Sequence, residues 1–181
     1  MLEISIYIRY MKCILSLLMV FLSLASFAQK ETVKDRYSAA IGLYQKGELE
    51  KAASIFEKIF SDDTTDGNAL ENKSIIYSEL KQYNKAAEGY AKLCKLYPRN
   101  DRYFSVTCFY YTLINQPKIA ESFGKKAVSL NKYRYNNMLN LAHTYLLQRE
   151  KDQSIYWYTM ALEWVPSKAE FNRAFLGDLF W

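Results

Sequence analysis

One histidine, three cysteines, three prolines and six glycines in 181 residues leave few ways to build a chemical site. A lone His with three Cys supplies almost nothing for a metal centre or a Cys–His nucleophile pair. The shortage of Gly and Pro excludes collagen-like or Pro-rich linker character. No Gly-rich phosphate loop and no GKS or GKT element occurs. Charge is weak as well. Twenty-four Lys+Arg against 19 Asp+Glu give +5, too mild and too dispersed to argue for nucleic acid. What is present is 50% hydrophobic and 16% aromatic residues, the make-up of a folded chain and, at this length, of one domain.

Cys13 to Ala28 read CILSLLMVFLSLASFA, sixteen residues without a charge. A spanning helix needs about 20 apolar residues and a secretory h-region about 7–15. Lys12 provides the positive n-region, and Ala25-Ser26-Phe27-Ala28 places small residues before Gln29. Residues 1–28 are therefore expected to be a signal peptide cleaved after Ala28, with Met11 a more natural start than Met1 and residues 29–32 a short linker. The alternative is an uncleaved membrane anchor. Cys13 precedes the apolar run, which argues against a lipid-modified cysteine. The chain is expected to be exported, and to be periplasmic, envelope-associated or extracellular. Losing Arg9, Lys12 and Glu3 leaves 22 minus 18, or +4. Cys94 and Cys108 remain, either as a disulfide, which an oxidising compartment permits, or as two buried thiols.

A 34-residue period organises residues 33–168. Ala52, Ala86, Ala120 and Ser154 form one column, and Phe56, Tyr90, Gly124 and Tyr158 another. Ala40, Ser74, Cys108 and Ala142 share the interval, as do Leu43, Tyr77, Tyr111 and Tyr145, then Ile59, Leu93, Ala127 and Ala161. Pro98 and Pro166 close the second and fourth units. Within the second unit Ala69, Leu70, Ile76, Tyr77 and Leu80 mark the buried stripe of one helix. Asn84 is expected to cap a second helix with the stripe Ala86, Ala87, Tyr90, Leu93 and Cys94. Ser74 and Ala86 let the two helices approach closely, while Tyr90 fills the gap to the next unit.

These columns resemble the tetratricopeptide repeat family, whose pattern is W-x2-L-G-x2-Y, then A-x3-F, then P. The resemblance covers four contiguous units, 33–66, 67–100, 101–134 and 135–168. It implies an all-α fold, a right-handed superhelical solenoid of antiparallel helix pairs. Arg36, Leu70, Phe104 and Met138 replace the early Trp, and Ala39, Lys73, Thr107 and Leu141 occupy the early Leu place. Lys73 is the oddest departure, and its stem is expected to snorkel. In the third unit Gly124 replaces an aromatic and Pro117 opens the second helix, where Pro is tolerated. Residues 169–181 look like a terminal capping helix or the first helix of an incomplete fifth unit. Their apolar Phe171, Ala174, Phe175, Leu179 and Phe180 are expected to cover the fourth unit, to dock another chain or mediate self-association, or to mark a frame that once continued.

In the family the concave groove lined by first helices binds peptides or helices of other proteins. Carried over by position, the groove places are Tyr37, Ile41 and Tyr44, then Glu71, Asn72, Ile75 and Ser78. The third unit contributes Arg102, Val106, Phe109 and Leu113, and the fourth Asn136, Asn140, His143 and Leu147. Asn72 and Asn140 would offer donor and acceptor to a ligand backbone, with Ile75 and Phe109 receiving apolar side chains. The clamp by which some members hold a carboxylate chain end is absent as a set, because of its matching places only Arg102 is a cation. No convergent catalytic groups are found. His143 stands alone as a polar lining residue, Asp62-Asp63 and Asp66 lack a calcium-loop pattern and mark an exposed linker, and Lys125-Lys126, Lys132 and Arg134 belong to a solvated face. The expectation is a non-catalytic adaptor for a protein segment, with no cofactor, metal, nucleic acid or small-molecule substrate. The alternative is a truncated sensor or docking region of a larger signalling or enzymatic protein.

Overall fold

The computed structural model describes residues 32–167 and 169. The expected signal peptide and all but one residue of the 169–181 stretch lie outside them. The chain falls into two compact units, Met1–Ser38 and Ala39–Trp181. Eight helices and no strand occur among the described residues. They are α1 (Val33–Gln45), α2 (Leu49–Asp62), α3 (Gly67–Glu79), α4 (Tyr83–Leu96), α5 (Asp101–Leu113), α6 (Pro117–Leu130), α7 (Tyr135–Leu147) and α8 (Lys151–Trp164). The odd-numbered helices have 13 residues and the even-numbered ones 14. In the first unit α1 opens with a reciprocal cap: Asp35 N–H donates to Thr32 Oγ1 (3.2 Å) and Thr32 N–H to Asp35 Oδ2 (3.1 Å). From Ala39 onward the chain belongs to the second unit, which carries the other seven helices.

The turn inside each pair repeats as faithfully as the helices. Gly47, Lys81, Asn115 and Arg149 all have positive φ, between 57° and 76°, and lie 34 residues apart. The residue after each donates its N–H back to the first helix, as Gln82 to Tyr77 O (2.8 Å) and Glu150 to Tyr145 O (2.9 Å). This is a Schellman closure, in which one left-handed residue satisfies carbonyls at the helix end. The closure corrects one expectation. Asn84 does not cap α4; the helix begins at Tyr83 with Gln82 as N-cap and no side-chain cap bond. The Schellman turn carries the chain straight from α3 into α4, so Asn84 falls inside the first turn. Asp66 and Asn100 do cap their helices, accepting from Ala69 N (2.9 Å) and Arg102 N (3.1 Å).

From α2 onward each helix packs on its successor, and α5 also packs on α7. Ala86, Ala87, Tyr90, Leu93 and Cys94 are all buried, as the stripe of α4 requires, whereas Tyr77 and Leu80 on α3 are only half-buried. Tyr90 reaches across to Tyr103 and Tyr110 of α5, with ring centroids 6.4 and 5.6 Å apart. The close approach of α3 to α4 involves Gly89: a Cβ there would stand 2.0 Å from Ser74 Oγ. Gly124 is compensated from the next helix. A Cβ on it would stand 3.0 Å from Leu141 Cδ1 and 2.9 Å from Cys108 Sγ. Leu141 shares a column with Lys73 and Thr107. The bulk that Phe56 and Tyr90 supply from the second helix is thus supplied here from the following first helix. Lys73 does not snorkel to water as expected: its side chain is only 8% exposed, its ammonium pairs instead with the exposed Glu57, and it lies 5.3 Å from the Phe60 ring centroid.

Candidate functional site

The first helices present one face, and hollows run along it. Ile41 and Tyr44 of α1 with Asn72 and Ile75 of α3 line a hollow of about 220 Å³ whose floor is Phe56 and Ile76. The Tyr44 hydroxyl donates to the Glu79 carboxylate, and that bond holds its pKa above the ordinary phenol value. Tyr37 is half-buried on α1 within the first unit. Asn72 Nδ2 donates to Asn68 O of its own helix (2.8 Å).

Between α5 and α7 lies a larger hollow of about 500 Å³, which brings together Arg102, Val106, Phe109, Asn136 and Asn140 with Tyr90, Tyr110, Ser105 and Arg134. Arg102 Nη2 pairs with Glu71 Oε1 at 2.9 Å and Arg134 Nε with Asp101 Oδ2 at 2.6 Å. Tyr103 OH donates to Glu71 Oε2 (2.7 Å). Burial first, and then Glu71, pushes the Tyr103 phenol up to about 12. Asn140 Nδ2 donates to Ser105 O (3.1 Å) and Oγ (3.0 Å). A side-chain amide has two N–H donors, so Asn72 keeps one beyond its bond to Asn68 O, whereas both Asn140 bonds go to Ser105 and leave its Oδ1 as the group open to a ligand.

Phe109 divides this hollow from two others. One, of about 420 Å³, is lined by Tyr83, Tyr110, Leu113, Ser78, Glu79 and Lys81. The second, of about 60 Å³, is lined by Thr112, Leu113, Asn140 and His143. His143 meets Tyr158 of α8 edge to face, ring centroids 5.4 Å apart, and burial lowers its pKa to about 4. It is a neutral imidazole at neutral pH, wedged between α7 and α8. Leu147 is exposed and lines none of these hollows.

Several residues of the face escaped the sequence reading, Glu79, Lys81 and Thr112 among them. Tyr83 and Tyr90 belong to a second helix, Tyr110 and Ser105 lie on α5 next to the carried-over places Phe109 and Val106, and Arg134 precedes α7. Arg134 was legible only as a member of a basic cluster, because nothing in its spacing from Arg102 announces that both reach one hollow. The other motifs are structural. Cys94 and Cys108 are free and buried, each sulfur 3.3 Å from a threonine hydroxyl, Thr107 and Thr144 respectively. Burial pushes their thiols up to about 11 and about 12, far from the thiolate needed for nucleophilic work. Asp63 accepts from Thr65 N and Oγ1 (2.9 and 2.7 Å), which orders the α2–α3 loop. Lys125 pairs with Glu121 at 2.7 Å.

No family model matches the chain. Among curated proteins it is similar to N-alpha-acetyltransferase 25, the NatB auxiliary subunit. It is 25% identical over 118 residues to the Mus musculus protein and 26% over 105 residues to that of Homo sapiens. These alignments take in 64% and 56% of this chain, but the chain spans only 12% and 11% of those relatives. Among solved structures it is similar to MamA (TM-score 0.72, 17% identity, 83% of this chain and 82% of that one). It is also similar to a tetratricopeptide repeat protein from Parabacteroides merdae (0.71, 18%, 88% and 63%). A third is YrrB, described as a TPR protein with an unusual peptide-binding site (0.65, 19%, 86% and 80%). At these identities the likeness establishes the fold: an all-α architecture of tetratricopeptide type.

Proposed function

We propose that this protein is a non-catalytic adaptor that holds a segment of a partner protein along its first-helix face. The observation that carries the reading is the run of hollows from Ile41 to Asn140, which the packing of the helices leaves open and which Phe109 subdivides. Titratable groups near the face are engaged in holding it together: Glu71 by Arg102 and Tyr103, Asp101 by Arg134 and Asn137. YrrB, similar in fold, has a peptide-binding site by its own description. Buried aromatic anchors at interfaces contribute about 2–4 kcal/mol each when they are hot spots, so Phe109 is the first residue to disrupt, together with the apolar Ile75 that lines the neighbouring hollow. An affinity capture from an envelope extract, comparing wild type with Ile75→Glu/Phe109→Glu, tests the reading. A protein captured only by wild type supports it; equal capture by both refutes a role for this face. The double variant must retain its helical circular-dichroism spectrum.

The location belongs to the same proposal. The uncharged Cys13–Ala28 run behind Lys12, ending in small residues, supports export to the cell envelope with residues 1–28 removed. The intact mass of protein isolated from its native cell checks this. A chain beginning at Gln29 agrees, and retention of residues 13–28 refutes cleavage and favours the anchor. A second reading, a docking region within a larger protein, is favoured by the small share of the curated relatives that this chain spans. In-frame coding sequence beyond Trp181 would support it.

A further inference from the structure

The hollow between α5 and α7 is lined by two cations and no acid. Arg102 and Arg134 stand at its wall, 58% and 46% exposed at the side chain, while Glu71 and Asp101, which pair with them, are 17% and 15% exposed and do not line it. The carboxylates sit behind the guanidinium groups and are fixed in turn. Tyr103 OH holds Glu71, and Asn137 Nδ2 holds Asp101 Oδ2 at 2.9 Å. Asn137 is itself fully buried and also donates to Ala127 O and Asn131 O, both at 3.1 Å. Each arginine is thereby held by one edge only, Arg102 through a single Nη and Arg134 through Nε. A guanidinium has five N–H donors, so both retain donors beyond those the carboxylates engage. Planar, pre-oriented guanidinium groups with free N–H edges suit a carboxylate ligand. Across Phe109 the chemistry changes to the aromatic wall of Tyr83 and Tyr110 with Leu113.

We propose that this hollow receives an acidic side chain, Asp or Glu, of a peptide lying along the face, and that an apolar neighbour in the same peptide seats beyond Phe109 against Tyr83, Tyr110 and Leu113. The inference rests on the adaptor reading and specifies its partner. An internal side chain is favoured over a chain end because, of the places that match the family's chain-end carboxylate clamp, only Arg102 is a cation. Arg134 is central: it precedes α7, outside the first-helix places that match a carboxylate clamp.

A random-sequence synthetic peptide library, immobilised in one arm with amidated and in the other with free carboxyl ends, is probed with the full chain. Enriched peptides are expected in the amidated arm, with Asp or Glu close to an aromatic or aliphatic residue. Exchanging that acid for its amide in an enriched peptide is expected to weaken binding to wild type by about tenfold or more, and so is Arg102→Gln/Arg134→Gln in the protein. Arg102→Lys/Arg134→Lys, which keeps charge but loses the fork, is expected to fall between. If the glutamine variant does not fold, the acid-to-amide exchange against wild type decides. Enrichment without acids, enrichment only with free carboxyl ends, or binding indifferent to the amide exchange overturns the proposal. Uncharged peptides that are lost with Ile75→Glu/Phe109→Glu would overturn it while leaving the adaptor reading standing. No enriched peptide in either arm would count against both.

Discussion

Gly89→Ala tests whether the close approach of α3 and α4 is set by volume or by helix preference. In a helix interior the exchange gains about 1 kcal/mol from propensity alone. Here the new methyl would stand 2.0 Å from Ser74 Oγ and 3.1 Å from Ser74 Cβ. Ser74 is fully buried and donates to Leu70 O at 2.7 Å, so relieving the clash means rotating the hydroxyl off that bond or spreading the helices. Losing the bond costs about 1 kcal/mol and overpacking typically 1–3 kcal/mol. Gly89→Ala is therefore expected to destabilise by about 1–2 kcal/mol net. Ser74→Ala alone removes the hydroxyl and its bond but gains helix preference, so it should be close to neutral. The double variant removes the 2.0 Å contact, keeps both alanines' propensity, and is expected to match or exceed wild type. That implies a coupling of about 1–3 kcal/mol between the sites. Urea unfolding followed by circular dichroism, with the m-value monitored for all four proteins, gives the cycle. Gly89→Ala as stable as wild type, or additive effects in the double variant, would refute the volume argument.

Three further outcomes are expected. Lys73→Leu restores an apolar side chain where the ammonium is nearly buried and should be neutral or stabilising by about 1–2 kcal/mol, whereas Glu57→Gln leaves that ammonium without its charge partner and should destabilise; urea midpoints compare them, and the reverse order would refute the ion-pair account. Burial holds His143 at about 4 against an ordinary 6.5, so the unfolded chain binds more protons between these values: stability is complete above pH 6.5 and falls as the pH drops towards 4, by about 3 kcal/mol at most. Unfolding midpoints measured across that window should slope less in His143→Gln than in wild type. In a Cys13→Ser background, Cys94 and Cys108 should resist iodoacetamide until the protein is unfolded, as mass spectrometry of the labelled chain would show; rapid native labelling would contradict their burial.

The periodicity of small and aromatic residues was sufficient to read the helix pairs, because each column corresponds to a packing contact repeated with the chain's geometry. Ala52, Ala86 and Ala120 are all fully buried. Two features resisted. The left-handed column holds Gly47 and Asn115 but also Lys81 and Arg149, so its chemistry is hidden where a charged residue accepts an unfavourable φ. The role of Gly124 could not be read from its own column, because its compensation comes from Leu141, seventeen residues on and in a different column. The face was legible in part: Ile75 and Phe109 line hollows, but that Asn140 spends its amide N–H groups on Ser105 depends on a neighbour that no spacing reveals.

The two kinds of helix surface carry different contacts. Inside and between pairs the contacts are apolar and dense: Leu70, Tyr90, Leu93, Cys94 and Tyr103 form one cluster, and Val128, Met138, Leu139, Leu141, Tyr145 and Ala161 another. Successive first helices are also bridged by polar bonds, Tyr44 to Glu79, Tyr103 to Glu71, Asn140 to Ser105, and Thr112 to Thr144 at 2.7 Å. Those bonds fix the spacing of the first helices without filling the space above them. The apolar side chains on the face, Ile41, Ile75, Val106 and Phe109, are left lining hollows. The separation is incomplete: Ile75 and Val106 also pack against the Leu70–Tyr103 cluster, so exchanging them disturbs the core as well as the hollows, whereas Ile41 is exposed and belongs to neither cluster.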